Sequence, residues 1–289
     1  MNLSQDELQL FARHFPEGVV AIDVETTGLS PLLDSILEIS AVKICGGKTS
    51  TFNHLINPEI PIPANTSAIH GIFDDMVQNA PTITTIIPSF LEFVENLPVI
   101  AHNARFDLGF IIFALHQLHL PLTKSSVYCS IKLARHIFPD MEAHRLGHLA
   151  KEFGIELTQH HRALDDAWAC LKVFGKSLAK MEKEQMDCAA LLQSHSYLFN
   201  VGDFVTHEDF ELPEHLKILK EKVAKQEVVQ IKYRGGTMKN EFRPVKPMSL
   251  LPMPDGNVLY ALCLRSGTHK SFALRKITEV KVTAGQGQP

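Results

Sequence analysis

No stretch of this 289-residue sequence approaches the run of about 20 apolar residues that crosses a bilayer as a helix, so a membrane partner is not expected. The opening "MNLSQDELQLF" lacks the basic segment followed by an apolar one that marks a secretory signal, and a cytoplasmic location is the expectation. Cysteine is sparse. Cys45, Cys129, Cys170, Cys188 and Cys263 are odd in number, scattered and never spaced CxxC, which argues against a disulfide framework and against a zinc knuckle. They read as reduced thiols in packed positions. Internal repeats and low-complexity tracts are also missing, so neither a solenoid nor a disordered chain is indicated.

What is present is the composition of a globular protein, 45% hydrophobic and 21% charged. The length exceeds what one core usually organises, and two domains are expected, 1–190 and 212–289, joined by a linker at 191–211. The net charge of −4 conceals an asymmetry: residues 1–200 hold 14 Lys+Arg against 22 Asp+Glu, whereas 201–289 hold 14 against 10. Within 228–282 the count is 10 basic to 3 acidic, a balance that attracts polyanions.

"GVVAIDVETTG" (18–28) is an apolar, β-branched run ending in a glycine and predicts a buried strand entering a turn. "ILEISAVKI" (36–44) predicts its neighbour, and "CGGK" a tight turn into a third strand. After the proline-rich "NPEIPIPANT", helical periodicity appears around 84–95, 104–119, 130–137 and 163–180, with a short strand at "LPVIAHN". This order of elements is that of an α/β domain. From 212 onward, "LPEHLKILKEKVAKQ" predicts an amphipathic helix, and four strand-like runs follow, separated by "RGG", "PDGN" and "SGTH" turns.

Asp23 and Glu25 lie two apart in the first predicted strand, so both carboxylates project to one face. Two acids on one face of an apolar strand repel each other unless a cation neutralises them; a strand end open to water is the alternative. Asp107, in "AHNARFD", sits inside the start of an amphipathic helix, where a lone Asp is commonly a capping or dipole residue. In "HHRALDDAW" (160–168), a turn of about 100° per residue from Ala163 puts Ala163, Ala167, Cys170, Leu171, Phe174 and Leu178 on the buried face. Asp165 then falls near the opposite pole as a solvated charge, and Asp166 at the flank of the apolar stripe. His161 on the same helix would point about 140° away from Asp166, so it works with Asp166 only from a loop before the helix. No comparable reason favours His160.

"IDVETTG", "NPEIPIPANTSAIHGI", "AHNARFD" and "HRALDDA", in this order and at this spacing, resemble the DEDD superfamily of 3′ to 5′ exonucleases, in particular its histidine-bearing branch, which includes polymerase proofreading subunits. The resemblance covers roughly residues 15–180 and implies a ribonuclease-H-like fold, a mixed sheet flanked by helices. It implies that Asp23, Glu25, Asp107 and Asp166 hold two divalent cations, Mg2+ or Mn2+, with Asp23 bridging them. Glu25 and Asp166 then hold the cation that activates water, Asp107 supports the other, and His161 is the general base. Hard carboxylate oxygens suit such ions, and an ordinary imidazole, with a pKa of about 6.5, suits proton transfer near neutral pH. Thr26, Thr27 and Leu29 are implied to line the terminal nucleotide by backbone contacts and base packing, with His70, Asn103 and Phe106 near the 3′ end. His70 reads equally as a turn residue and Phe106 as core. The implied substrate is a single-stranded nucleic acid 3′ end, DNA in the first instance, with a polymerase or another replication or repair protein as partner.

"FRPVKPMSL" and "VLYALCLRSGTHKSFALRKITEVKV" resemble a WYL domain, a small β-rich module often fused to bacterial regulators and nucleic-acid enzymes, although "LYAL" stands where the eponymous tripeptide would be. Arg243, Tyr260, Arg265 and Arg275 are its candidate nucleic-acid contacts, since guanidinium groups grip phosphates and tyrosine stacks on bases. The alternative is a merely solvated basic face. Two other functions remain open at this point: an RNA-trimming or short-oligonucleotide ribonuclease, and a regulator that senses nucleic acid or nucleotide through the second domain.

Overall fold

The computed structural model describes residues 2–31, 34–122, 124–157, 161–194, 198–200, 212–235, 241–251 and 256–282. The chain divides into two compact units, Met1–Asp203 and Phe204–Pro289. His160 and residues 201–211 of the expected linker lie outside the described residues.

The first unit opens with helix α1 (Gln5–His14), started by a capping box in which Ser4 and Glu7 satisfy each other's backbone amides. Strands β1 (Val19–Thr26), β2 (Ile36–Cys45) and β3 (Lys48–Leu55) form an antiparallel meander. Short helices α2 (Ala64–His70) and α3 (Asp74–Val77) precede α4 (Ile83–Val94). Strand β4 (Val99–Ala101) leads into α5 (Arg105–Gln117), and β5 (Ser126–Cys129) into α6 (Ser130–Ile137). Helices α7 (Leu146–Glu152), α8 (Ala163–Lys183) and α9 (Cys188–Gln193) follow, and β6 (Leu198–Asn200) ends the unit.

The sheet order is β3-β2-β1-β4-β5-β6, with β4 parallel to β1 and to β5, and β6 antiparallel to β5. This mixed sheet flanked by helices is the ribonuclease-H-like arrangement. Segment 191–211 is therefore not wholly linker, because Leu198–Asn200 pair with β5 as an edge strand. Helix α8 packs on β1 and β2 through the stripe its periodicity predicts: Ala163, Ala167, Cys170, Leu171, Phe174 and Leu178 are all buried. Their core includes Phe11, Val19, Ala21, Val42, Ile44 and Ile100, so the same strand that carries Asp23 is anchored from one side by α8.

In the second unit a 3-10 turn (Glu214–Leu216) precedes α10 (Ile218–Lys225), so the α-helix is shorter than the stretch 212–226 that predicts it. Strands β7 (Val229–Tyr233), β8 (Phe242–Leu251), β9 (Val258–Cys263), β10 (Thr268–Ala273) and β11 (Ile277–Val282) form an antiparallel sheet ordered β10-β9-β8-β7-β11. Leu216, Leu219, Ile231, Val245, Leu259 and Phe272 build its core. Among the described residues, no helix is long and apolar enough to cross a membrane.

Candidate active site

Period-two alternation in β1 puts Asp23 and Glu25 on one face, where both are partly buried while Ile22 and Val24 are fully so. Asp166, in the first turn of α8, meets them: one carboxylate oxygen from each of Asp23, Glu25 and Asp166 can be chosen so that all three lie within 4.8 Å of one another. Asp107, on the first turn of α5, is buried. Its Oδ1 accepts the Val24 amide at 3.3 Å, tying α5 to β1, while Oδ2 is buried without a hydrogen-bond partner. Its place at a helix start thus serves tertiary packing as well as the helix.

Burial and the crowding of acids raise three of these carboxyls. Burial first, then the charges of Asp107, Asp166, Glu25 and Glu38, push the Asp23 carboxyl well above the usual carboxylate range. Burial first, then Asp166 and Glu38, push Glu25 up to about 8, with Arg162 pulling the other way. Burial raises Asp107 to about 8 against the pull of backbone hydrogen bonds. This donor set, all hard oxygen with an orphaned buried carboxylate oxygen among it, fits divalent cations of the Mg2+ or Mn2+ kind.

A pH dependence follows. Glu25 and Asp107 bind protons more tightly folded than unfolded, so between about pH 4 and 8 the folded state carries more protons and stability falls as pH rises. Thermal melts in chelator should therefore give a lower Tm at pH 8 than at pH 5. Added divalent cation should raise Tm more at pH 8, where it replaces the missing protons.

His161 lies just before α8 at φ +59° with an exposed side chain, off the helix as the wheel geometry requires. Asp165 is half-buried rather than freely solvated, because its charge faces Arg162. His70 ends α2. Its Nδ1 accepts the Ile72 amide at 3.0 Å, so the ring proton sits on Nε2, which is buried beside the Thr26 backbone. Burial, chiefly, lowers its pKa, and the fields of Glu38, Arg162 and His161 reach it, so it is both a turn residue and a neighbour of the site.

Thr26 and Thr27 are buried and spend their hydroxyls inside the loop after β1: Thr26 Oγ1 donates to the Gly28 carbonyl, and Thr27 Oγ1 accepts the Ser35 amide. The Thr27 amide donates to the Ser35 carbonyl at 2.9 Å, so the loop is closed on both sides of Thr27. Gly28 lies against the Asp34 side chain, which a Cβ would meet at about 2.5 Å and displace. Leu29, at the tip of this loop, is 85% exposed. Asn103 takes φ +67° at the turn into α5, a conformation asparagine tolerates, and Phe106 is half-buried against Phe110 with ring centroids 5.2 Å apart.

Two residues escaped the sequence reading. Glu38, on β2 directly opposite Glu25, is 1% exposed, and Arg162 grips it with both ends of its guanidinium at 2.7 and 3.0 Å. A single glutamate in an apolar strand gave no sign of a partner 124 positions away.

The four candidates in the second unit do not form one surface. Arg243 is buried on the core side of the sheet, its guanidinium over the Phe272 ring at 5.4 Å and its Nε unpartnered. Tyr260 projects from the opposite face, stacked on His269 at 5.5 Å. Arg265 stands in the β9–β10 turn near Glu241 (3.5 Å). Arg275 lines a separate cleft of about 710 Å3 with His215, Arg234 and Asn257. Alternation along β8 and β9 separates Arg243 from Tyr260, as it must for side chains of opposite parity in register.

The fold and the acid cluster have counterparts in known proteins. Residues 20–174, more than half of the chain, match the RNase_T family model, described as exonuclease. The DNA polymerase III PolC-type of Caldanaerobacter subterraneus subsp. tengcongensis is 41% identical over 165 residues, 57% of this chain and 12% of that protein. The Bacillus subtilis PolC-type polymerase is 42% identical over 164 residues, 56% of this chain and 11% of that protein. The chain thus corresponds to about an eighth or less of these relatives' length. Among solved structures, E. coli Exonuclease I in complex with a dA16 oligonucleotide aligns with a TM-score of 0.50 at 16% identity, covering 86% of this chain and 55% of that one, a likeness of fold. The chain belongs to the RNase_T exonuclease family, and its first unit is a 3′ to 5′ exonuclease domain.

Proposed function

We propose that this protein is a divalent-cation-dependent 3′ to 5′ exonuclease that removes nucleoside monophosphates from single-stranded ends. The observation that carries the reading is the meeting of Asp23, Glu25 and Asp166 within 4.8 Å, beside the orphaned Oδ2 of Asp107. Asp23, Glu25 and Asp166 would hold the cation that activates water, and Asp107, together with Asp23, would hold the second. When bound, such ions neutralise phosphate charge and ease ionisation of the attacking water and departure of the 3′ oxygen. His161 takes the water's proton; its exposed place on a turn suits a group that must approach and leave substrate. The exposed Leu29 packs on the terminal base, His70 Nε2–H offers a buried donor beside it, and Asn103 and Phe106 border the strand's path.

DNA is the proposed substrate, and a replication polymerase the proposed partner, because the relatives over this domain are DNA polymerases and Exonuclease I is seen with a deoxyadenylate oligonucleotide. RNA trimming is the competing outcome, decided by how the pocket receives a 2′-hydroxyl.

The second unit, WYL-like in sequence, holds the strand on its open sheet face. There Phe242, Tyr260 and His269 lie among Lys232, Lys246 and Lys281, on the side of the sheet opposite its core. Rings for base stacking among cations for phosphates are what a single-strand grip needs. The Arg275 cleft favours the nucleotide-sensing alternative.

One assay tests these readings together: 3′-labelled single-stranded DNA, RNA and duplex, with Mg2+, Mn2+ or chelator, for the natural chain and for Lys246→Glu/Lys281→Glu. Cation-dependent release of mononucleotides from DNA is expected. The double variant should raise KM for a long strand severalfold, more so at low salt, and leave turnover of a dinucleotide unchanged. Tight binding without turnover in either metal would bring the sensor reading forward.

A further inference from the structure

Glu38, the third residue of β2, is almost fully buried between Leu37 and Ile39. A carboxylate there is tolerated only with its oxygens satisfied. Oε1 accepts Arg162 Nη2 at 2.7 Å; Oε2 accepts Arg162 Nε at 3.0 Å and the Ala163 amide at 3.1 Å. Ala163 is the first residue of α8, whose opening amides lack partners within the helix. Arg162, at the N-cap, has no side chain suited to accept such an amide, so β2 supplies the cap from across the fold. The Arg162 carbonyl in turn accepts the Asp166 amide at 3.0 Å. His161, at positive φ and exposed, is joined directly to this anchored residue.

We infer that Glu38 is a positioning residue for catalysis: through Arg162 it fixes the turn that presents His161 at a set distance from the carboxylates of β1. It rests on the reading of His161 as the base. Glu38 faces Glu25 across the β1–β2 pair, so a single side chain sets the height of the α8 N-terminus against the strand that bears the acids. The two-point grip is specific to a guanidinium, because an ammonium makes no planar fork.

A test that a purely structural ion pair would not pass is epistasis with His161. Glu38→Gln and Arg162→Lys should each lower kcat on a single-stranded oligonucleotide roughly ten- to a hundredfold, as expected for a misplaced catalytic group, with KM within about twofold. Placed in a His161→Ala background, neither should lower kcat further. Equal falls in both backgrounds, or no fall in the natural one, would overturn the inference. Arg162→Lys keeps the charge, and its melting temperature reports folding if Glu38→Gln proves unstable; wild-type turnover in Arg162→Lys would show that charge alone suffices and would also overturn it. His161→Ala with unimpaired turnover would remove the base assignment, and the inference with it, before any Glu38 variant is made.

Discussion

Replacing Asp23 with alanine should abolish cation-dependent release of mononucleotides, a fall of roughly a thousandfold or more, since the lost interaction is a several-kcal/mol contribution to charge stabilisation. The same change should make the cation-free protein more resistant to heat. Desolvation first, and then the charges of Asp107, Asp166, Glu25 and Glu38, push its carboxyl upward, so its removal ends an unfavourable placement of an acid at neutral pH. Opposite signs of the two effects are the signature: activity gone, Tm raised, and the stabilisation by added Mn2+ reduced. A parallel loss of activity and of melting temperature would instead assign Asp23 to the core.

His161→Ala is the second large effect. Removing a general base typically costs between a hundredfold and ten-thousandfold in rate, and here the loss should fall on kcat while KM and cation-induced stabilisation stay close to those of the natural protein. The reason is geometric: His161 is outside the group of acids that meet within 4.8 Å, and its side chain is exposed, so neither the fold nor the cation site depends on it. Loss of cation-induced stabilisation in His161→Ala would instead make this residue a ligand.

Much of the site was legible from local periodicity. Alternation in β1 puts Asp23 and Glu25 on one face, and the turn angle of α8 puts Asp166 at the flank of its buried stripe. The second unit was less so. There the same alternation puts Arg243 into the core and Tyr260 on the open face, but only with the β8–β9 register known could the two be separated. In the loop after β1 the Thr27 amide pairs with Ser35 eight positions on, a closure that no local periodicity announces.

By itself the sequence determined which residues share a strand face or a helix stripe, because those relations depend on the fixed geometry of a few neighbouring residues. It also set the order of four acidic and histidine motifs from which the exonuclease resemblance came. Only the tertiary structure decided the register in which Glu38 faces Glu25, that α5 and α8 bring Asp107 and Asp166 to β1, and that Glu38 meets Arg162. Those meetings depend on strand order, register and the packing of surfaces far apart in the chain, and burial of the apolar stripes selects them over the alternatives.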